Sequence, residues 1–224
     1  MGAGWLIAQP ALQVFAFWFL LDLVLKVRPS SAVPYLDYFL VAILPWMIIQ
    51  ETLSRSLVVL SDYGGLYQRT LFPLKVLPWI PLLMGFLIYT PVLLAVVGFQ
   101  QGVLVAGQVL GFCLLLMIWL LPFCYLLAVM GLFFKESRQV VPFLLTLLMY
   151  GTPILYTPEV LPPVLISWMR LNPLAHLVAI IEHLVNGLPL DLEAVVLPWG
   201  LWLLLLPLAS RLYSRAEPLM REEL

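Results

Sequence analysis

Long apolar runs without charged residues recur along this chain, and they constrain its fold more than any other feature. The run at residues 103–134, for example, contains no charged side chain. A helix needs about 20 apolar residues to cross the ~30 Å hydrocarbon core of a bilayer. Because lipid offers no hydrogen bonds, the backbone of such runs must pair within itself, as an α-helix does. The sequence therefore predicts an all-α polytopic membrane protein.

The composition agrees with this prediction. The chain has 224 residues, of which 63% are hydrophobic and 10% are charged, whereas a soluble domain has about 25% charged residues. A net charge of −1 gives no basic field, so no nucleic-acid partner is expected. Both cysteines, Cys113 and Cys124, lie inside one apolar run, which predicts buried free thiols rather than a disulfide or zinc site.

Six segments are long and apolar enough to be predicted as spans of a single membrane domain covering residues 1–224: about residues 5–25, 36–60, 76–99, 103–134, 140–156 and 195–213. The first run lacks a basic start and a small-residue cleavage site, so we expect it to remain in the mature protein. Between the last two spans, residues 157–193 are rich in proline. Their apolar stretch, 174–188, is too short to cross, which predicts an extracytoplasmic re-entrant or interfacial helical segment.

The basic residues predict the orientation of the spans. With the N-terminus inside, the inner segments hold most of the 11 basic residues: Arg55, Arg69, Lys75, Lys135, Arg138, Arg211, Arg215 and Arg221. The outer segments hold only Lys26, Arg28 and Arg170. The positive-inside rule therefore predicts that both termini are cytoplasmic.

Charged residues within the spans are suspects for function, but their spacing favours pairing. Asp22 and Lys26 are four residues apart, as are Glu51 and Arg55, so each pair shares a helix face. Arg55 could instead extend its side chain to the lipid headgroups. His176, Glu182 and His183 are grouped in the outer segment. The two histidines are seven residues apart, which does not match a zinc-protease helix, so no metal site is predicted.

Signatures of catalysis are absent from the sequence. It contains no G-x-S-x-G elbow and no G-x-x-x-x-G-K-[ST] phosphate loop. We therefore expect no catalytic residue and no cofactor on this chain. If ATP and magnesium drive the protein, they bind to another subunit.

The loop at residues 61–78 is the most distinctive polar feature. Gly64 and Gly65 are expected to end the second span, and the residues after them to form a short amphipathic helix at the membrane surface. Such a helix could simply lie at the interface or could dock a cytoplasmic partner. Gly107 and Gly111 have the spacing of a small-residue face for close helix contact.

Four stretches, in order along residues 4–213, resemble the membrane subunits of type-2 ABC exporters for polysaccharides such as O-antigen, capsule or teichoic acid. They are Pro45-Trp46 with segment 51–55, Phe72-Pro73 with Leu77-Pro78, segment 134–142, and segment 153–156 with Asn172-Pro173-Leu174.

The resemblance implies a homodimer in the bacterial plasma (inner) membrane, in contact with lipid and bound to a separate ABC ATPase subunit. It also implies a coupling helix in the 61–78 loop that contacts the ATPase through Asp62, Leu66, Tyr67, Arg69 and Lys75. The polysaccharide path would lie between the two copies, and its candidate aromatic residues are Trp18, Phe19, Tyr150 and Tyr156.

One departure from the family pattern concerns the N-terminus. Members of this family usually carry about 30 further residues, including a basic interfacial helix, before the first span, whereas this chain reaches its first span at Trp5. Three alternatives to polysaccharide export remain open. They are a type-2 exporter of a drug, lipid or haem, an intramembrane enzyme using His176, Glu182 and His183, and a membrane scaffold.

Overall fold

The computed structural model describes residues 4–24, 35–69, 73–156, 162–190 and 192–223, and the regular structure in these ranges is helical. In chain order the elements are α1 (Trp5–Trp18), continued by a π-helical stretch (Phe19–Val24), α2 (Tyr35–Ser56), α3 (Val59–Arg69), a 3-10 turn (Leu74–Val76), α4 (Trp79–Gln101), α5 (Val103–Phe133), α6 (Ser137–Tyr150), α7 (Pro163–Met169), α8 (Pro173–Asn186) and α9 (Leu192–Glu223).

Within the described residues, four helical segments are long and apolar enough to cross a membrane: Leu36–Ser56, Leu74–Gln101, Val103–Phe133 and Leu192–Glu223. Large apolar side chains remain exposed on them, such as Leu87 at 66% and Leu204 at 74%, as expected for surfaces solvated by lipid. The polytopic helical prediction is therefore confirmed. The first predicted span contains a shorter apolar helical segment, Pro10–Val24, and the fifth corresponds to α6, which has 14 residues. The count of six spans therefore stays a prediction.

Helix α2 lies at the centre of the bundle. Its side chains at positions 41–49 are buried on every face, because α2 packs against α4, α5, α6 and α8. Glycines allow the closest crossings. A Cβ at Gly85 would lie 2.4 Å from Thr52 Oγ1, and one at Gly131 would lie 1.8 Å from the Leu57 carbonyl oxygen. By contrast, a Cβ at Gly107 or Gly111 would meet no other atom within 4 Å among the described residues.

The break between the second span and the loop lies earlier than predicted. Helix α2 ends at Ser56, the chain turns at Leu57 and Val58, and α3 continues through Gly64 and Gly65. The expectation that these two glycines end the span is wrong. The turn lies where Gly131 of α5 approaches the Leu57 carbonyl, so a tertiary contact between helices accompanies the break.

The pairing predictions have mixed outcomes. Arg55 Nε donates a hydrogen bond to Glu51 Oε1, which confirms that pair. Lys26 lies outside the described residues, and Asp22 accepts a 3.2 Å hydrogen bond from Trp18 Nε1. Cys113 and Cys124 are buried free thiols, as predicted.

The bundle has two ends with different contents. The α3 end comprises α3, the Leu74–Val76 turn, the end of α5, the start of α6 and the C-terminal part of α9. The α8 end comprises the starts of α2 and α9, the end of α6, and α8. Asn172 caps α8 by accepting a 3.0 Å bond from Leu174 N, and Gly187 ends it in a left-handed conformation (φ 66°). With 14 residues, α8 is too short to cross a bilayer.

Candidate functional site

The predicted coupling residues belong to the α3 end of the bundle. Asp62 is exposed in the first half of α3, and Lys75 is exposed on the turn that leads into α4. Leu66, Tyr67 and Arg69 belong to the helical backbone of α3, but their side chains lie outside the described part of the chain. The helix itself is 11 residues long with weak overall apolarity, which suits a surface position.

Arg138 ties the start of α3 to two other helices. Its Nη2 donates a 2.6 Å hydrogen bond to Ser61 Oγ, and its Nε donates a 2.8 Å bond to the Gly131 carbonyl. Ser61 lies in the first turn of α3, Gly131 near the end of α5, and Arg138 near the start of α6. Because a guanidinium is planar and has fixed donor directions, one side chain holds three helix ends in a defined arrangement.

Two tyrosines hold the other side of the loop, where the chain returns to the bundle. Tyr213 of α9 donates a 2.7 Å hydrogen bond to the Leu74 carbonyl, and Tyr125 of α5 donates a 2.6 Å bond to the Lys75 carbonyl. Their rings meet edge to face with centroids 4.9 Å apart. Trp79 Nε1 adds a 3.2 Å bond to the Tyr125 hydroxyl. The Leu74–Val76 turn is therefore attached to both α5 and α9.

A charged group lies beside this attachment. Lys75 Nζ is 3.7 Å from Glu217 Oε2, and Arg221 Nη2 donates a 2.8 Å bond to Glu217 Oε1. The Lys75 side chain is 58% exposed, and exposed pairs of this kind contribute at most about 1 kcal/mol. The buried Tyr213 bond thus holds the turn more firmly, and Lys75 remains accessible.

The four aromatic candidates for a substrate path do not form one group. Trp18 lines a cavity of about 470 Å³ between α1, α2 and α4. Tyr150 and Tyr156 line a different cavity of about 700 Å³ with Trp168, and the Tyr156 hydroxyl donates a 2.8 Å bond to the Tyr150 carbonyl. Phe19 is exposed and stacks on Phe15 with ring centroids 6.2 Å apart. The structure brings together only the two tyrosines.

The His176, Glu182 and His183 group is also divided. Both histidines line a cavity of about 450 Å³ beside α9. Glu182 is largely buried, and burial raises its pKa to about 7, although a hydrogen bond with Tyr38 opposes the rise. Its Oε1 has no hydrogen-bond partner among the described residues. Among the residues that the structure describes, no three His, Cys, Asp or Glu side chains are grouped so as to hold a metal ion.

Several residues of the α3 end were not singled out from sequence. Arg138 falls in one of the family-like stretches, but nothing in its spacing indicates its two hydrogen bonds. Tyr125 and Tyr213 look like ordinary aromatic residues of apolar helices. The predicted last span ends at Tyr213, whereas α9 continues to Glu223 and brings in Glu217 and Arg221.

The fold and this site define a multi-pass helical membrane protein whose inter-helix loop is firmly attached to its bundle. No protein-family model matches the chain. It is similar to two O-antigen export system permease proteins RfbA of Klebsiella pneumoniae. One is 26% identical over 192 residues, covering 79% of this chain and 70% of the relative, and the other is 25% identical over 185 residues, covering 80% and 70%.

A third relative has the same printed name and comes from Myxococcus xanthus. It is 26% identical over 163 residues, which cover 70% of this chain and 61% of the relative. The three similarities confirm the resemblance to O-antigen exporter permeases that the four stretches of sequence indicated.

Proposed function

We propose that this chain is the membrane subunit of an ATP-driven exporter that moves a lipid-linked polysaccharide across the bacterial inner membrane. A separate ABC ATPase subunit binds at the α3 end and hydrolyses ATP with its own magnesium. The observation that carries this proposal is the attachment of α3 and its return turn to α5, α6 and α9 through Arg138, Tyr125 and Tyr213. The relatives named as O-antigen export permeases support the choice of substrate.

The mechanism is mechanical, because no residue of this chain needs to make or break a bond. Closure of the ATPase subunits on ATP pushes α3. The Arg138 bonds pass this displacement to the ends of α5 and α6, and the Tyr125 and Tyr213 bonds pass it to α5 and α9. A movement at the docking surface therefore changes the relative positions of helices that cross the bilayer.

This proposal places the α3 end and both termini in the cytoplasm and the α8 end outside. Basic side chains collect at the α3 end, among them Lys75, Lys135, Arg138, Arg215 and Arg221, in agreement with the positive-inside rule. Two copies of the chain would enclose the polysaccharide path. Tyr150 and Tyr156, which line one cavity, are candidates to stack against sugar rings along it.

Co-purification with the ATPase subunit tests the docking part of the proposal. Lys75→Glu and Asp62→Lys reverse two exposed charges at the α3 end, and we expect each to lower ATPase association several-fold and the pair to lower it further. Glu193→Lys, an exposed change at the opposite end, is the matched control and should leave association intact. Unchanged association in both α3-end variants would refute docking there.

Deletion of the gene tests the substrate. We expect one cell-surface polysaccharide to disappear and its lipid-linked precursor to accumulate inside. If the ATPase subunit still co-purifies with the chain but every surface glycan persists after deletion, the polysaccharide assignment is wrong and export of a drug, lipid or haem takes its place.

A further inference from the structure

A cavity at the α8 end lies between α8 and the start of α9. Its volume is about 450 Å³, within the range of roughly 300–1,000 Å³ typical of small-molecule sites. Its polar lining comes from Arg170, His176, His183 and Glu193, and its apolar lining includes Ile180 and Ala194. The coupling mechanism proposed above uses none of these residues.

The two histidines are spaced to act together. They are seven residues apart on α8, which is about two helical turns, so their side chains share one face. Both rings line the cavity. Glu182, next to His183 in sequence, interacts instead with Tyr38 at the start of α2. The arrangement is thus a pair of imidazoles, without the neighbouring carboxylate as a third member.

Backbone contacts determine which imidazole nitrogen carries the proton. His176 Nε2 lies 2.8 Å from the Arg170 carbonyl oxygen, and His183 Nδ1 lies 2.6 Å from the Pro189 carbonyl oxygen. A carbonyl oxygen can only accept, so each of these nitrogens must be the donor. In the neutral rings, His176 Nδ1 and His183 Nε2 are therefore left as hydrogen-bond acceptors.

The complete set of polar groups selects one class of ligand. Two imidazole acceptors and the Glu193 carboxylate would accept from hydroxyl groups, and the Arg170 guanidinium would donate to hydroxyl oxygens. With neutral imidazoles, Arg170 and Glu193 cancel to a net charge of zero. A lining of zero net charge gives a phosphate or another polyanion no net electrostatic attraction, whereas neighbouring sugar hydroxyls supply both the donors and the acceptors that these groups need. The Ile180 and Ala194 side chains offer a surface to the apolar face of a sugar ring.

We infer that this cavity is a binding site for a neutral, hydroxyl-rich sugar unit. The inference rests on the proposed function for the origin of the ligand, an exported glycan that leaves on the α8 side. The site would hold one sugar unit of the chain as it emerges, through weak hydrogen bonds that release it again. Weak binding is what a transport path needs, because tight binding would stop the polymer.

Ligand-detected NMR on the purified full chain in nanodiscs free of maltoside detergent tests this inference directly. The probes are the methyl glycosides of glucose, galactose, mannose, N-acetylglucosamine and rhamnose, with inorganic phosphate as the anionic probe. We expect at least one glycoside to bind with a Kd on the order of 1 mM, and phosphate neither to bind nor to displace it.

Variants then locate the binding. His176→Phe and His183→Phe should each weaken glycoside binding at least tenfold. Arg170→Gln and Glu193→Gln alter exposed residues, so they keep the fold intact. Each should weaken glycoside binding several-fold. Glu223→Gln, exposed at the opposite end, is the matched control and should bind normally.

Two outcomes would overturn the sugar site. One is that no glycoside binds, or that one binds equally well to all four cavity variants. The other is that phosphate binds and displaces the glycoside. Either result would leave the ATPase co-purification and gene-deletion results untouched, so failure of this inference is distinguishable from failure of the proposed function.

Discussion

The Tyr213 hydroxyl, near the end of α9, donates a 2.7 Å hydrogen bond to the carbonyl of Leu74, 139 residues earlier in the chain. Both residues are almost fully buried, with Leu74 at 0% and Tyr213 at 2% exposure. This bond joins the last helix to the turn that follows the proposed coupling helix. Movement of that turn therefore either carries α9 with it or breaks this bond.

Tyr213→Phe tests this link. The ring still fills its place, but the buried Leu74 carbonyl keeps only its 3.1 Å bond from Leu77 N, so loss of the tyrosine bond costs about 1 kcal/mol. We expect a lower thermal midpoint in detergent and reduced export. Tyr125→Phe removes the corresponding bond to the Lys75 carbonyl at an exposed position and should lower the midpoint less. Equal midpoints for wild type and Tyr213→Phe would show that the bond does not stabilise the fold.

Gly131→Ala tests the crossing of α5 with the α2–α3 turn. The added methyl would lie 1.8 Å from the Leu57 carbonyl oxygen, so the helices must separate, at a cost of several kcal/mol. We expect a large loss of folded, monodisperse protein in size-exclusion chromatography. In the same helix, the added methyl of Gly107→Ala would meet no atom of the described residues within 4 Å, so this variant should be neutral or slightly stabilising. Comparable yields from the two variants would contradict the close crossing.

Arg138 should affect coupling more than docking. Arg138→Gln removes the charged donors that reach Ser61 and Gly131, and Arg138→Lys cannot reproduce the planar fork. We expect both variants to bind the ATPase subunit normally but to export several-fold less glycan for each ATP hydrolysed. Lys135→Gln, three residues earlier and exposed, serves as the control.

Combination with Ser61→Ala separates coupling from a general structural role. If the Arg138–Ser61 bond carries the effect, the double variant Ser61→Ala with Arg138→Gln should be less impaired than the sum of the single variants predicts. Strict additivity of the two losses would assign the effect of Arg138 to something other than this bond.

Glu182 should make the stability of the fold depend on pH. Burial raises the pKa of this carboxyl from 4.5 to about 7, so the folded state favours the protonated form. Stability is therefore highest below pH 4.5, falls between pH 4.5 and 7, and stays low above that range. The loss amounts to at most about 3 kcal/mol.

Glu182→Gln mimics the protonated carboxyl and should abolish most of this dependence. We expect its thermal midpoint to exceed that of wild type at pH 8 and to match it near pH 4.5. Glu223→Gln, which alters an exposed carboxylate, should follow wild type at both values. A Glu182→Gln variant that is no more stable than wild type at pH 8 would show that the charged form is not destabilised by burial.

The apolar runs determined much of the fold in advance. The predicted fourth span, residues 103–134, corresponds closely to α5, and the short stretch at 174–188 corresponds to α8. Hydrophobicity is a local property of the sequence, so helix placement could be inferred without knowing any contact. Helix ends were less predictable, because the break at Leu57 and Val58 accompanies a contact with Gly131, more than 70 residues away in sequence.

The sequence by itself determined that this chain is a multi-pass helical membrane protein, and its family-like stretches indicated an exporter subunit. Only the tertiary structure decided which residues act together. Arg138 with Ser61, Tyr213 with Leu74, and His176 with the cavity beside α9 are contacts between segments that packing brings together. Hydropathy records how each segment interacts with its solvent, whereas these hydrogen bonds depend on the positions of helices relative to one another.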